Sequence, residues 1–388
     1  MSVEVPLRAN IRWALMFGNF VIGCGVMSVA GTLNDIARSL DVSVALAGQL
    51  IAIAAAMMAF GAPLLAGWVA AFDRRRLLAL SLVWYGGGHA LSALMPSYAA
   101  LWPVRAVTML AAAVFTPQAA AAIGFMAPPQ ERGRAITFIF LGWSLASVLG
   151  LPMSAWLGET FGWGVAFDLI AALALIAAIW VYAAMPNGVR PAALSLRGWK
   201  DVLTNPVLMA MVLVTALFGA GQFTLFSYFT PYYKLQLGAS AEQITLLLVW
   251  FGAFGLIGNL VLTRVIDRVG PNAAVTVAMG LMACSLALWP LGTSLASMAF
   301  VIVPWALGCF SSNSAQQARL GQAAPALAPA LMALNTSAIY VGQAAGAASG
   351  GWLISHTGYA WLSWAGLVWM AIAIAVSLWA GRRKVVFA

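Results

Sequence analysis

Charged and titratable side chains are scarce in this chain, so each one set in an apolar stretch is a candidate for chemistry. The 388 residues hold 10 Asp and Glu, 2 His and 19 Lys and Arg. Arg105 stands inside the apolar run 99–125. A charge at bilayer depth costs about 2.5–3.5 kcal/mol. Either this one faces partners in the protein interior, or it lies near enough to the outer boundary to snorkel to water. Thr116 and Gln118 follow on the same run and could add polar contacts. His89, in the run 77–95, carries an imidazole that titrates near neutral pH; a satisfied buried histidine is the competing reading.

Neutral polar groups gather in the second half. One run holds Gln222, Thr224, Ser227, Tyr228 and Thr230. A second has Ser311, Ser312, Asn313, Gln316 and Gln317, and a third has Asn335, Thr336, Ser337, Tyr340 and Gln343. Amides and hydroxyls can bind a solute without carrying charge. They can equally bond one helix to the next.

A repeat sets these groups in two similar halves. Gly61 to Gly67 leads into Asp73-Arg74-Arg75-Arg76, and Gly255 to Asn259 leads into Asp267-Arg268-Val269-Gly270; Asp73 and Asp267 are 194 positions apart, half of 388. Ala155-Trp156-Leu157 with Gly162-Trp163 is echoed by Gly351-Trp352-Leu353 with Gly358-Tyr359, at an offset of 196. Two like halves of apolar helices imply a binding site at their junction.

Composition narrows the class. The chain is 63% hydrophobic and 7% charged, with a mean hydropathy of +0.94. A soluble globule would carry about a quarter charged residues. The net charge of +9 does not point to nucleic acid, because the basic residues are dealt out between apolar runs rather than gathered into a stripe. Cys24, Cys284 and Cys309 have neither metal-ligand nor disulfide-framework spacing. No Gly-x-x-x-x-Gly-Lys loop, metal-binding acid cluster or intramembrane protease motif occurs. Enzyme chemistry, a metal and a cofactor are therefore not expected.

A helix needs about 20 apolar residues to cross the hydrocarbon. Turn residues and charges divide the chain into twelve such runs: 11–33, 44–70, 77–95, 99–125, 134–158, 163–185, 206–232, 241–265, 272–293, 296–318, 326–354 and 359–381. The first is read as a retained helix, since no small-residue cleavage site follows a short apolar core. Lys and Arg decide direction. Sixteen of the 19 fall on one side, from Arg8 and Arg12 through Arg319 to Arg382, Arg383 and Lys384. Arg38 and Lys234 fall on the other. Both termini are thus expected in the cytoplasm. The polar connection 186–205 divides an N-terminal bundle, 1–185, from a C-terminal one, 206–388.

At this point the chain resembles the major facilitator superfamily of secondary transporters, and more narrowly its twelve-helix drug, sugar and nucleoside efflux branch. The resemblance rests on Gly67 with Asp73-Arg74-Arg75-Arg76 and on its C-terminal copy at Asp267-Arg268-Val269-Gly270. Arg75 stands where the family usually has Gly. A partial match to the efflux members' Gly-Pro element lies in run five, at Gly150-Leu151-Pro152.

The resemblance implies an all-α membrane fold of two pseudo-symmetric six-helix bundles with alternating access. It implies gating roles for Gly67, Asp73, Arg74, Gly150, Pro152, Asp267 and Arg268, with Asp73 and Arg74 in a latch at the cytoplasmic mouth. Family helices 1, 4, 7 and 10 line the cavity. Carried over, the substrate-binding candidates are Asn19, Arg105, Gln118, Gln222, Tyr228, Asn313 and Gln317, joined by Asn335 and Tyr340. Run one lacks the carboxylate that many proton-coupled members carry, so Asp35, His89 and Arg105 are the proton-coupling candidates. The expected protein is a monomeric exporter of a small organic solute in a bacterial inner membrane, driven by protons. An uptake symporter or uniporter on the same fold is the alternative, and a membrane sensor or scaffold a more distant one.

Overall fold

Lipid leaves a free backbone amide without a partner, so a chain this apolar must satisfy its own backbone. The structure is a computed structural model that describes residues 9–190 and 195–385. Arg8, residues 191–194 of the expected linker and the ends of the two outer segments, 1–8 and 386–388, lie outside the described residues.

Regular structure among the described residues is helical. The chain runs through α1 (Ala9–Gly31), a short α2 (Leu33–Ser39), α3 (Val44–Val69), α4 (Arg74–Ala93) and α5 (Tyr98–Met126). Next comes α6 (Arg132–Leu145), which passes through one π-helical turn, Ala146–Gly150, into α7 (Leu151–Phe161) and then α8 (Trp163–Ala184). A short α9 (Leu196–Thr204) precedes α10 (Pro206–Phe226), α11 (Phe229–Gln236), α12 (Ala241–Val269) and α13 (Pro271–Leu288). The chain closes with α14 (Leu295–Ala323), α15 (Ala328–Thr357) and α16 (Leu362–Gly381).

Helix occupies each of the twelve expected runs, with ends displaced by a few residues. Among the described residues, ten helical stretches are long and apolar enough to cross a membrane. The other two runs hold α4 and α15. α4 opens on three arginines and carries Gly86-Gly87-Gly88-His89, and α15 is rich in Ala, Gly and Ser, which lowers their hydropathy.

Several expectations shift. Run seven breaks at Ser227 and Tyr228 into α10 and α11. The linker contains a helix, α9. Arg319, counted as a loop residue beyond run ten, lies inside α14 and is buried, donating to Ser377 Oγ at 2.9 Å and to the Ser377 carbonyl at 3.0 Å. The helix continues past 318 because this arginine finds acceptors on α16.

Local chemistry sets the turns. Ser43, Ser97 and Ser240 cap α3, α5 and α12 by accepting backbone N–H bonds, and Asn205 before Pro206 opens α10. Gly162 and Gly358 have φ of +92° and +68°, values that side chains resist, and each ends one helix so that the next can reverse. They are the two glycines of the repeat.

Packing follows the small residues. α10 lies against α15 and α16, α4 between α5 and α8, and α14 against α12 and α13. Gly342, Gly346 and Gly350 form a stripe on α15 that seats on the carbonyls of Ala216, Ala220 and Thr224 of α10, with no room for a Cβ. The hydrogen-bond ladder of α14 is altered beside Pro304. Ser285 of α13 accepts from Trp305 N–H at 2.8 Å and donates to the Val301 carbonyl at 2.6 Å, wedging itself into the ladder. The main contacts between the earlier and later helices join α3 to α15, α6 to α12 and α14, and α5 to α15.

Candidate functional site

The buried charged side chains among the described residues are Asp73, Arg74, Arg105 and Arg319. Arg105 is fully buried, so it does not snorkel to water. Its guanidinium donates to the Gly25 carbonyl at 2.7 Å and, more weakly, to the Val26 carbonyl at 3.4 Å, both on α1. A third bond reaches His89 Nε2 at 3.1 Å, and the Phe167 ring lies 5.7 Å from the guanidinium carbon. His89 Nδ1 is 2.9 Å from the Tyr85 carbonyl. A carbonyl only accepts, so Nδ1 carries the hydrogen and Nε2 accepts from Arg105. Hence His89 sits as the neutral Nδ1–H tautomer, and a second proton at Nε2 would meet the guanidinium. Gly25 makes this meeting of helices feasible: a Cβ there would strike Tyr85 and His89. Among the described residues no carboxylate bonds Arg105, and its Nε–H has no partner.

Two of the three proton-coupling candidates therefore meet. The third, Asp35, sits on α2 and accepts from Trp163 N–H at 2.6 Å, capping α8. Trp163 and Phe167 pack edge to face at 5.3 Å, and Phe167 meets His89 at 5.5 Å, so rings separate Asp35 from the Arg105 cluster.

A second polar centre lies deeper. Thr116 is eleven positions beyond Arg105 on α5, about 16 Å of helix rise. Its hydroxyl donates to Asn19 Oδ1 at 3.0 Å, leaving Asn19 Nδ2 unpartnered though buried. On α6, Ser144 Oγ accepts from Asn259 Nδ2 of α12 at 2.9 Å, leaving Asn259 Oδ1 free. Gln118 Oε1, Asn313 Oδ1, Gln317 Oε1 and the Trp143 indole N–H are also buried without partners. Each such group carries a desolvation cost of about 1–3 kcal/mol until something bonds it.

Other candidates are already engaged. Gln222 donates to Cys309 Sγ at 3.2 Å, and Asn335 Oδ1 accepts from Thr215 at 2.6 Å while its Nδ2 stays free. The Tyr228 hydroxyl donates to the Ala347 carbonyl at 2.7 Å, and Tyr340 donates to Met58 Sδ at 3.0 Å. Asn259, Ser144 and Gln316, which bonds the Met211 carbonyl, join this network without having been site candidates. The signal for Asn259 was an amide inside an apolar run, passed over as part of the repeat.

The arginine-rich end of the helices shows how the repeat is used. Asp73 caps α4 through Arg75 N–H at 3.0 Å and holds Gly188 N–H at 2.6 Å. Arg74 donates to the carbonyls of Val69, Ala70 and Phe72 at the end of α3. All these partners precede residue 190. Asp267 reaches across instead: its oxygens accept from Arg134 N–H at 3.2 and 3.1 Å, at the positive end of α6. Arg268 is exposed beside it. Gly67 faces the Trp199 indole of α9. Gly150 closes the π-helical turn against Cys24 of α1, with Pro152 just beyond it.

The side-chain bonds Asn259 to Ser144, Asp267 to Arg134, Tyr340 to Met58 and Ser337 to Ala59 all cross between earlier and later helices. The Asp267 bond lies at the arginine-rich end, Ser337 and Tyr340 lie in the half of α15 nearer that end, and the Asn259–Ser144 bond lies near mid-span. A small, partly open pocket of about 40 Å³ lies near the arginine-rich end between α5, α6, α14 and α15, lined by residues such as Ala121, Gly124, Ile136, Gly321 and Met332.

Known proteins fit this arrangement. The chain is similar to the inner membrane transport protein YdhP of Escherichia coli K12, at 29% identity over 99% of this chain and 98% of that protein. It is also 26% identical to the uncharacterized MFS-type transporter YbcL of Bacillus subtilis, over 94% of each chain. Among solved structures, the human organic anion transporter MFSD10 superposes with a TM-score of 0.81 at 16% identity, covering 96% of this chain and 100% of the other. The proton:xylose symporter XylE superposes with a TM-score of 0.77 at 15% identity, covering 94% of each. The sequence profile of the Major Facilitator Superfamily matches residues 15–328. With ten apolar spans, a half-chain repeat and a polar seam between the halves, this chain is a multi-pass membrane protein and belongs to the Major Facilitator Superfamily of transporters.

Proposed function

We propose that the protein is a secondary transporter that exports a small organic solute by proton antiport with alternating access. α4 and α15 span beside the ten apolar stretches, giving twelve helices in two six-helix bundles, 1–185 and 206–388, joined by 186–205. The arginine-rich end is cytoplasmic by the charge rule, as are both termini. Similarity to an Escherichia coli protein named for the inner membrane supports placement in a bacterial inner membrane. On this reading the crossing bonds near that end describe the conformer closed to the cytoplasm.

One observation carries the reading: buried amide and indole groups without partners stand on both sides of the seam, on α1, α5 and α6 and on α12, α14 and α15. A solute bonded by them would offset their desolvation and would touch both bundles at once. Asn19, Gln118, Asn313, Gln317 and Asn335 are the primary contacts, with Gln222, Tyr228 and Tyr340 at the edge. Arg105 has no buried carboxylate beside it, which favours neutral or anionic solutes over cations. Proton coupling is assigned to the His89–Arg105 pair, with Asp35 as the outer candidate. Asp267 and Arg268 hold the cytoplasmic mouth, Asp73 and Arg74 brace it, and Gly67, Gly150 and Pro152 allow the helices to shift.

Uptake is the second reading, favoured by the likeness to a proton:xylose symporter. Counterflow in proteoliposomes, with sugars, nucleosides and drugs and with or without a pH gradient, tests both. Transport indifferent to the gradient removes proton exchange. Accumulation in intact cells, rather than depletion, reverses the direction.

A further inference from the structure

Pro63 lies inside α3. Proline has no N–H, so the carbonyl four residues earlier, that of Ala59, loses its helical donor. The Ser337 hydroxyl of α15 donates to this carbonyl. One turn along, Tyr340 donates to Met58 Sδ at 3.0 Å, so two side chains of α15 grip neighbouring residues of α3. Ser337 also has an acceptor on its own helix, the Ala333 carbonyl at 3.4 Å. A hydroxyl has one hydrogen to give, so a full bond to one carbonyl weakens the other.

We propose that Ser337 is a positioning residue of the transport cycle: its hydroxyl binds the Ala59 carbonyl while the cytoplasmic mouth is closed and turns to the Ala333 carbonyl when it opens. The inference rests on the alternating-access reading above. Pro63 creates the acceptor, and Ser337 responds to whether α3 is near. Ala59 is 8% exposed where the helices meet, so its carbonyl needs the hydroxyl there. With the mouth open, water reaches that carbonyl and Ala333 takes the hydroxyl. Both groups keep partners in each state, so the exchange is nearly free in polar terms. Removing the hydroxyl harms only the closed state.

The test reads access to the cytoplasmic side of the seam. Ala121, 3% exposed and lining the small pocket, is replaced by Cys in a Cys284→Ser background. Its rate of modification by a membrane-impermeant maleimide is then measured in inside-out vesicles. Ser337→Ala raises the rate roughly five- to tenfold, the scale expected for one donor lost from a buried carbonyl. Ser337→Thr keeps the hydroxyl and the original rate. In a Pro63→Ala background the new N–H serves Ala59, so adding Ser337→Ala changes nothing. A rate within twofold of the parent in Ser337→Ala, or an effect undiminished by Pro63→Ala, overturns the proposal. Asp267→Asn, measured alongside, separates the failures. If it raises the rate and Ser337→Ala does not, the Ser337 assignment falls while alternating access stands. If neither raises it, the access reading fails and takes this proposal with it.

Discussion

Replacing Arg105 by Met separates a transport role from a structural one, because the structural cost is small. Two charge-assisted bonds are lost, to the Gly25 carbonyl at 2.7 Å and to His89 at 3.1 Å. Each contributes about 1.5–3 kcal/mol. The Val26 contact at 3.4 Å adds little. Against them stands about 2.5–3.5 kcal/mol for holding a charge at bilayer depth, which the variant no longer bears. The Gly25 and Val26 carbonyls lie within α1 and keep their helical bonds, so His89 Nε2 is the main group left without a partner.

The net loss is therefore at most about 3.5 kcal/mol, and a fall in Tm within about 14 °C follows from roughly 2–4 °C per kcal/mol. Methionine also fills much of the vacated volume. Transport per reconstituted molecule, measured by counterflow, should fall tenfold or more. Arg105→Lys should fail similarly, since an ammonium cannot reach both the α1 carbonyl and the imidazole as the guanidinium fork does. Near-normal transport in the Met variant would refute the reasoning and leave Arg105 as a brace between α1, α4 and α5.

Other substitutions probe separate parts. His89→Gln retains an acceptor for Arg105 but cannot titrate; it should keep the fold and lose stimulation by a pH gradient, whereas Asp35→Asn should keep that stimulation, both read from flux with and without the gradient. Asp267→Asn keeps an oxygen for Arg134 N–H but loses its charge at the positive end of α6, about 0.3–1 kcal/mol, so cysteine labelling at the cytoplasmic mouth should rise two- to fivefold. Gly346→Val drives a side chain into the Ala220 carbonyl of α10 and should cost about 1–3 kcal/mol, seen as a lower Tm in detergent.

Much of the architecture was legible because depth follows from position along a helix. Charges and turn glycines mark the ends, so the twelve runs and the repeated Asp73 and Asp267 stood out. Rotation about each axis was not legible. Helices that are apolar all round carry no polar stripe to orient them. Hence the contact of His89 with Arg105, sixteen positions apart on different helices, appears only once α4 and α5 are packed. Likewise Asp73 and Asp267 read alike, yet one bonds Gly188 in its own region and the other reaches α6. Arg319 misled for the same reason: a basic residue near a helix end reads as a boundary, but here Ser377 provides it with a buried seat.

The two seams between the earlier and later helices differ in kind, although the same Asp-Arg motif recurs in both stretches of sequence. Where α12 meets α6, an aspartate supplies a full charge; where α3 meets α15, hydroxyls and a thioether supply dipoles. Electrolyte and acidity act strongly on the first and hardly on the second. Added salt should thus loosen one edge of the molecule before the other, so that under the proposed alternating access the arginine-rich mouth would swing like a door hung on its neutral side instead of parting evenly down the middle.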